Sequence, residues 1–346
     1  MSDMTGTGTD RQPDAPPERG GRLWKWTKRV LVGVVGLVVF VLLAGVIYQF
    51  VATKIDAYRW YPPSSDMVDV GGSSMHLHCT GEGGAPTVVM DSGLGGIGMD
   101  WQLVQPGVAK FARVCTYDRG GMGWSDPGAQ PRTSQQIVEE LHALLNNAGV
   151  EGPYVLVGHS FGATNVQLYA SQYPNEVAGM VLDDAATEDE MLVTLTEELQ
   201  GSPGWNKFLA TIGVTRLPYT LGGETDQRTA ISTHRKDTYE VSDERTSWEE
   251  SFEQRRASPL SLGDKPLIVL TAGAFQVPPD AGIPQEQIHS FLEAHSEFQA
   301  DLPLHSQNSE QIIAEDSGHY IHWEQPDLVI DAIRRVVEAA RNGSSV

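Results

Sequence analysis

The decapeptide YVLVGHSFGA, residues 154–163, joins an apolar run to a helical pattern through a serine set between glycines. Tyr154 to Val157 is short and apolar, the composition of a buried strand. From Phe161 to Gln172 the pattern turns helical. Between them stands Gly158-His159-Ser160-Phe161-Gly162, the spacing G-x-S-x-G. A serine on such a tight strand-to-helix turn needs a strained backbone, and small residues on either side let strand and helix approach closely. Gly158 and Gly162 meet that need, and Ala163 keeps the next position small. The N-terminus of the following helix offers N–H donors to a developing negative charge. The plainer reading is a chance match in a strand-to-helix loop. Strand, turn and helix in register argue against it.

The same rhythm extends outward from this turn. SMHLHC (74–79), PTVVMD (86–91), RVCTYD (113–118), VAGMVLD (177–183), PLIVLTA (266–272) and EQIIAED (310–316) read as further strands. Helical patterns fall between them. Ser134 to Asn147 carries Ile137, Leu141, Leu144 and Leu145 on one face, with Thr133 and Gln136 spaced as a capping box. Pro326 to Arg341 closes the chain with Leu328, Ile330, Ile333, Val336 and Val337. Short apolar runs alternating with helices predict a mostly parallel sheet covered on both faces. Thr187 to Asp264 breaks the rhythm. It is rich in Glu, Thr, Ser and Arg, and reads as an insertion of helical and irregular character.

Charge and hydropathy set the location. The 346 residues carry a net charge of -21, too acidic a surface for phosphate backbones, which argues against nucleic-acid partners. Val30 to Ala52 contains no charged residue in 23 positions, enough to cross a bilayer as a helix. Trp24 and Trp26 before it, and Tyr48, Tyr58, Trp60 and Tyr61 near its end, sit where interfacial aromatics belong. A buried core helix is seldom apolar all round for this length, and a signal peptide usually has a shorter apolar region, although cleavage stays open. Arg19, Arg22, Lys25, Lys28 and Arg29 precede the segment, against Lys54 and Arg59 after it. The positive-inside rule then expects residues 1–29 as a cytoplasmic tail, 30–52 as the span, 53–66 as a linker, and a body from 67 to 346 outside the cytoplasm. There Cys79 and Cys115 could persist as a disulfide or stand as buried thiols.

VVMDSGLGG (88–96), CTYDRGGMGWSD (115–126), VLVGHSFGA (155–163), MVLDDA (180–185) and EDSGHYIHWEQPDLV (315–329), in that order, resemble the α/β-hydrolase superfamily over residues 67–346. The resemblance implies a twisted eight-stranded sheet, a helical cap at 187–264, and a Ser–acid–His triad in that chain order. It assigns Ser160 as nucleophile and His319, in DSGHYIH, as its base. By position the oxyanion donors are the backbone N–H groups of Leu94 and Phe161. Most relatives have His-Gly in the first of these loops, whereas this chain has Ser92-Gly93. The donor survives that exchange, but the bracing of the loop must differ. His322, the nearest rival to His319, reads as structural or exposed. His159 reads as packed against strands, and His76 with His78 as packing rather than a metal pair, since no third ligand is evident. Asp118 precedes Ser160 and so breaks the triad order, which favours a bracing role. In the family's strand order, the strands bearing Cys79 and Cys115 are neighbours, which implies that the two form a disulfide.

The acid is the open question. Many relatives place it three residues beyond a glycine after the seventh strand, but here that residue, after Gly273, is the neutral Gln276. The nearest carboxylate is Asp280. Other members carry the acid after the sixth strand, VAGMVLDD. Asp184, the first residue past that strand, is therefore the first choice, ahead of Asp280. Asp183 alternates to the other face, and Glu188, Asp189 and Glu190 read as solvated cap residues. Leu192, Leu195, Trp205, Phe208, Leu209, Tyr219, Trp248 and Phe252 either line an acyl pocket or hold the cap to the core. The expected protein is a membrane-anchored serine hydrolase of small-molecule or amphiphilic esters, needing no cofactor or metal. The alternatives are an acyltransferase, a peptidase, a cofactor-free peroxidase, or a binding module without turnover. Epoxide hydrolysis and dehalogenation use a carboxylate where this chain has Ser160. Fold alone does not choose among these.

Overall fold

The computed structural model describes residues 20–60, 66–187, 202–216, 235–274 and 284–346. Eight strands run in chain order: β1 (Met67–Asp69), β2 (Ser74–Thr80), β3 (Thr87–Asp91), β4 (Val114–Tyr117), β5 (Tyr154–His159), β6 (Val177–Asp183), β7 (Leu267–Ala272) and β8 (Ser309–Ala314). They form one sheet in the order β1-β2-β4-β3-β5-β6-β7-β8. β1 and β2, and β2 and β4, pair antiparallel, and every other pair is parallel. The central strands β3 to β7 are apolar nearly throughout because both of their faces are covered.

Eight helices are named here: α1 (Gly20–Trp60), α2 (Ser134–Asn147), α3 (Phe161–Gln172), α4 (Pro203–Thr211), α5 (Arg235–Thr246), α6 (Trp248–Ala257), α7 (Gln285–Asp301) and α8 (Pro326–Asn342). One core layer packs α2 and α3, through Leu141, Leu144, Val166 and Tyr169, onto Leu156, Met180 and Val269. The other packs α8, through Ile333, Val336 and Val337, onto Val155, Val181 and Ile268. The Thr133 hydroxyl caps α2 by accepting from the Gln136 N–H, but the Gln136 side chain turns to Glu140, so only half of the expected capping box forms. Cys79 and Cys115 face each other across the β2–β4 pair and form a disulfide.

Two expectations shift. The segment 53–66, expected as a linker, is helical as far as Trp60, so α1 extends eight residues past Ala52. Nothing in TKIDAYRW breaks a helix; the breaker, Pro62-Pro63, lies outside the described residues. Helix α7 was not expected between β7 and β8. Residues 187–264, expected as a cap, contain α4, α5 and α6, and the intervening 188–201 and 217–234 lie outside the described residues. Trp24–Ile55 within α1 is long and apolar enough to cross a membrane, a property that a signal sequence shares.

Candidate active site

The site is built at the carboxyl ends of β5, β6 and β7. Ser160 follows β5 with φ 51° and ψ −119°, a left-handed backbone that non-glycine residues rarely adopt. Neighbouring glycines make this turn possible. A Cβ at Gly158 would lie 2.6 Å from Ala163 Cα, and one at Gly162 would lie 2.5 Å from the Asp91 carbonyl oxygen. The Ser160 N–H donates to the Asp183 carbonyl (3.1 Å), and its own carbonyl accepts from Ala163 (2.9 Å) and Ala186 (3.2 Å). The elbow is thus tied both to α3 and to the chain leaving β6. Phe161 opens α3, so its N–H is one of the four that have no acceptor within a helix. Leu94, the other expected donor, is half-buried against Ala186, Trp248 and Phe252.

Asp184 and His319 are brought together. His319 Nδ1 lies 2.6 Å from Asp184 Oδ2. The second carboxylate oxygen, Oδ1, accepts from the Ala272 N–H (2.9 Å) and lies 3.0 Å from His295 Nε2 on α7. Burial alone would raise the Asp184 pKa, but the hydrogen bonds from His295 and His319 outweigh it and pull the carboxyl down to about 2. Asp184 is fully buried, whereas His319 keeps about a quarter of its side chain exposed (0% and 28%). Asp184 also has a positive φ, 44°. Asp280 and Gln276 lie outside the described residues, as do Glu188, Asp189, Glu190, Leu192, Leu195 and Tyr219.

Asp183 faces the other way, as strand alternation expects. Its Oδ2 lies 2.7 Å from His322 Nδ1, and both side chains are buried. His322 is therefore structural and buried rather than exposed. Burial raises the Asp183 pKa, against the pull of His322. His159 completes this lower layer. Its ring lies 4.7 Å from that of His319 and 4.4 Å from that of His322, and its Nε2 meets the His319 carbonyl at 2.9 Å. The residue before Ser160 thus holds the loop that carries His319. Burial pushes the His159 pKa well below its ordinary value, and the neighbouring His322 and His319 add to that, so the ring is neutral. His159, Asp183 and His322 each offer an atom of metal-ligand type, all within 4.8 Å of one another. Two of these contacts are already hydrogen bonds, one from His322 to Asp183 and one from His159 to a carbonyl. The arrangement is that of a polar network bracing the site.

The bracing of the Ser92-Gly93 loop comes from Arg119. Its guanidinium donates to the Ser92 carbonyl (2.6 Å), the Gly93 carbonyl (2.6 Å) and Asp91 Oδ1 (2.7 Å), and its Nε donates to Glu244 Oε1 (2.7 Å). Burial disfavours the charged guanidinium, but Glu244 and Asp91 outweigh it and hold the pKa above its ordinary value. Ser92 Oγ adds a bond to the Ile97 carbonyl at 2.9 Å. Glu244 belongs to α5, so one buried arginine ties the sheet, the Ser92-Gly93 loop and α5 together. Asp118 does brace, as expected. It accepts from Gly98 N (2.8 Å) and Trp124 N (3.0 Å) and pairs with His76 Nδ1 (3.0 Å). Burial opposes its ionisation, yet His76 and these two N–H groups hold its pKa below the usual range. His78 reaches Asp66 Oδ2 at 3.2 Å near the surface.

Two of these residues, His295 and Glu244, and one pairing, His322 with Asp183, are not evident in the sequence. His295 sits on the unexpected helix α7, whose Ile288, Phe291, Leu292 and His295 spacing was the available signal. Glu244 lies 125 residues from Arg119, and the pairing of His322 with Asp183 spans 139 residues. No local pattern reports either. Of the aromatics assigned to the cap, Trp248 stacks on Phe161 at 5.5 Å and is buried with Phe252. Trp205 and Phe208 do not line the site from within; they are 57% and 43% exposed.

Known proteins give a consistent picture. A family described as the alpha/beta hydrolase fold matches residues 86–212. The uncharacterized protein YqjL of Bacillus subtilis (strain 168) is 28% identical over 272 residues, covering 78% of this chain and 91% of that protein. The enol-lactonase from Burkholderia xenovorans LB400 superposes with TM-score 0.55 at 16% identity, covering 79% of this chain and 99% of its own. A thermophilic esterase from Thermogutta terrifontis gives TM-score 0.53 at 20% identity, covering 80% and 97%. A fold shared over four-fifths of the chain, with a family match running from β3 to residue 212, shows that this chain has the α/β-hydrolase fold.

Proposed function

We propose that the protein is a serine hydrolase of carboxylic esters, working through an acyl-enzyme. The observation that carries this reading is the buried Asp184 at 2.6 Å from His319 Nδ1, beside the strained Ser160 turn. A serine hydroxyl is a weak nucleophile near neutral pH and needs a base whose free nitrogen faces it. With Nδ1–H donated to Asp184, His319 keeps Nε2 unprotonated for that task. In the proposed cycle Ser160 Oγ attacks the ester carbonyl while His319 Nε2 takes its proton. The Leu94 and Phe161 N–H groups stabilise the oxyanion. His319 then protonates the departing alcohol, and water, activated by the same histidine, releases the acid. Trp248, Phe252 and Leu94 offer an apolar wall for the acyl group. Enol-lactonase and esterase activities in proteins of the same fold are in keeping with this chemistry.

The domain reading belongs to the same proposal: a cytoplasmic tail at 1–29, an anchor at 30–52, and a hydrolase domain at 67–346 outside the cytoplasm with its cap at 187–264. One experiment tests the chemistry. A fluorophosphonate probe is expected to label the full chain covalently and to fail on Ser160→Ala, with hydrolysis of an ester panel lost in parallel. Undiminished labelling of Ser160→Ala would overturn the nucleophile assignment. Labelling without turnover on any ester, lactone or thioester would overturn the substrate class. Protease protection in intact cells checks the topology, and a shielded C-terminal body would refute it.

A further inference from the structure

Cap helix α4 and the two residues after it, Ile212 and Gly213, pack against α1 inside its apolar stretch. The contact runs through two glycines. A Cβ on Gly45 would lie 2.3 Å from the Ile212 carbonyl oxygen, and one on Gly213 would lie 3.2 Å from the Gly45 carbonyl oxygen and 3.1 Å from Tyr48 Cδ1. Gly213 also has φ +73°, where a side chain is strained whatever the space. Small residues that let backbones touch are the usual packing device of segments meeting in a bilayer. Gln49, a polar residue inside the apolar stretch, is 3% exposed. Gly45 lies seven residues before Ala52, so the contact falls about 10 Å below the end of that stretch.

The outer face of α4 is apolar at helical spacing. Trp205 and Phe208 stack at 5.3 Å and remain exposed, as does Val214 (37%), while Leu209 is half-buried beside them. The opposite face is polar and already satisfied: Lys207 pairs with Asp243, and Thr211 Oγ1 meets Tyr239 OH at 2.9 Å, both on α5. The helix thus turns its polar side to the protein. Its aromatic side stays exposed, next to a contact that falls within the apolar stretch of α1.

We infer that α4 and the turn after it lie in the lipid headgroup interface, with Trp205, Phe208 and Val214 against the bilayer. The inference rests on reading α1 as a membrane span. Aromatic side chains are favoured at that depth, and an amphipathic helix lying in the surface plane buries such a face. The cap of the proposed site is then held at the membrane, and an amphiphilic ester reaches the site from the lipid phase rather than from bulk water.

The chain has no free cysteine among the described residues, so one introduced cysteine carries one spin label. We would label Phe208→Cys, Val38→Cys in the span, and Leu304→Cys in separate full-length chains in phosphatidylcholine vesicles. Leu304 is 79% exposed and lies just before the edge strand β8. Relaxation by oxygen is compared with relaxation by a water-soluble nickel chelate. The proposal expects an oxygen-to-nickel ratio at 208 several-fold above that at 304 and approaching that at 38. A lipid reading at 38 with a water reading at 208 overturns the cap proposal and leaves the span intact. A water reading at 38 overturns both.

Discussion

Replacing Asp184 with asparagine discriminates most sharply among assignments of the acid, and the hydrogen bonds fix what the change does. Oδ1 accepts from the Ala272 N–H at 2.9 Å, a donor that cannot reverse. The asparagine oxygen must therefore stay on that side, and its amide NH2 must face His319 Nδ1, where Oδ2 stood at 2.6 Å. Two donors cannot meet, so the imidazole proton moves to Nε2, and the nitrogen that serves as base in the proposed cycle no longer accepts. Loss of the correct tautomer costs about 10^4-fold in kcat, or ~5.5 kcal/mol of transition-state stabilisation. The Ala272 contact and the side-chain volume survive, so the fold should persist. The assay is steady-state hydrolysis of a soluble nitrophenyl ester, beside a thermal melt, with Asp280→Asn as the parallel variant. Asp184→Asn retaining kcat/KM within about tenfold of the parent would falsify the assignment. Collapse of Asp280→Asn alone, in an intact fold, would reassign the acid to the loop after β7.

Three further outcomes follow from the same contacts. Arg119→Met leaves Asp91 and Glu244 buried without their cation. The cost should be about 3–5 kcal/mol, seen as a melting temperature lower by roughly 10 °C, and a fall under about 2 °C would mean that the clamp is not holding the loop. Replacing Cys79 and Cys115 by alanine opens a loop of 36 residues. Chain entropy predicts a loss of about 4 kcal/mol in denaturant unfolding, and unchanged stability would show that the bond does not constrain the unfolded chain. Asp184 has a folded pKa of about 2 against an ordinary 3.8. A depressed pKa stabilises above the unfolded value and is lost as pH falls through the folded one. The stability difference between parent and Asp184→Asn should therefore shrink by ~2 kcal/mol between about pH 4 and pH 2, and a difference flat across that window refutes the ionised, hydrogen-bonded carboxylate.

Most of the sheet was legible because strands covered on both faces read as unbroken apolar runs. VAGMVLD and YVLVGH match β6 and β5 residue for residue. Strand alternation expects the opposite facings of Asp183 and Asp184, although Asp184 stands just past β6 with a positive φ. What stayed hidden depended on contacts between distant residues. Arg119 could be seen as part of a loop motif, but nothing near it announces Glu244 in the cap. His295 was hidden because α7 mixes acids and histidines with its apolar stripe, which weakens the helical signal. The end of α1 at Trp60 is not legible from hydropathy, because loss of apolar character is not loss of helix and TKIDAYRW contains no helix breaker.

Among the described residues, the non-glycine positions with left-handed backbone are Ser160 and Asp184. Each such conformation costs on the order of 1–3 kcal/mol and persists only where its surroundings over-determine it. Both stand one residue beyond the ends of adjacent strands. Their surroundings are shared: Ser160 N–H donates to the Asp183 carbonyl, Ala186 N–H to the Ser160 carbonyl, and Asp184 N–H to the Leu270 carbonyl. A solvated acid cluster at a strand end would need none of this. An exposed aspartate relaxes to an ordinary backbone and leaves its carboxylate in water. Asp184 is instead fully buried, held in a disfavoured conformation, and surrounded by one backbone donor and two histidines. Strain and burial are spent together at the carboxylate that reaches His319 and at the serine beside it. That coincidence is the physical ground for treating the two residues as parts of one site.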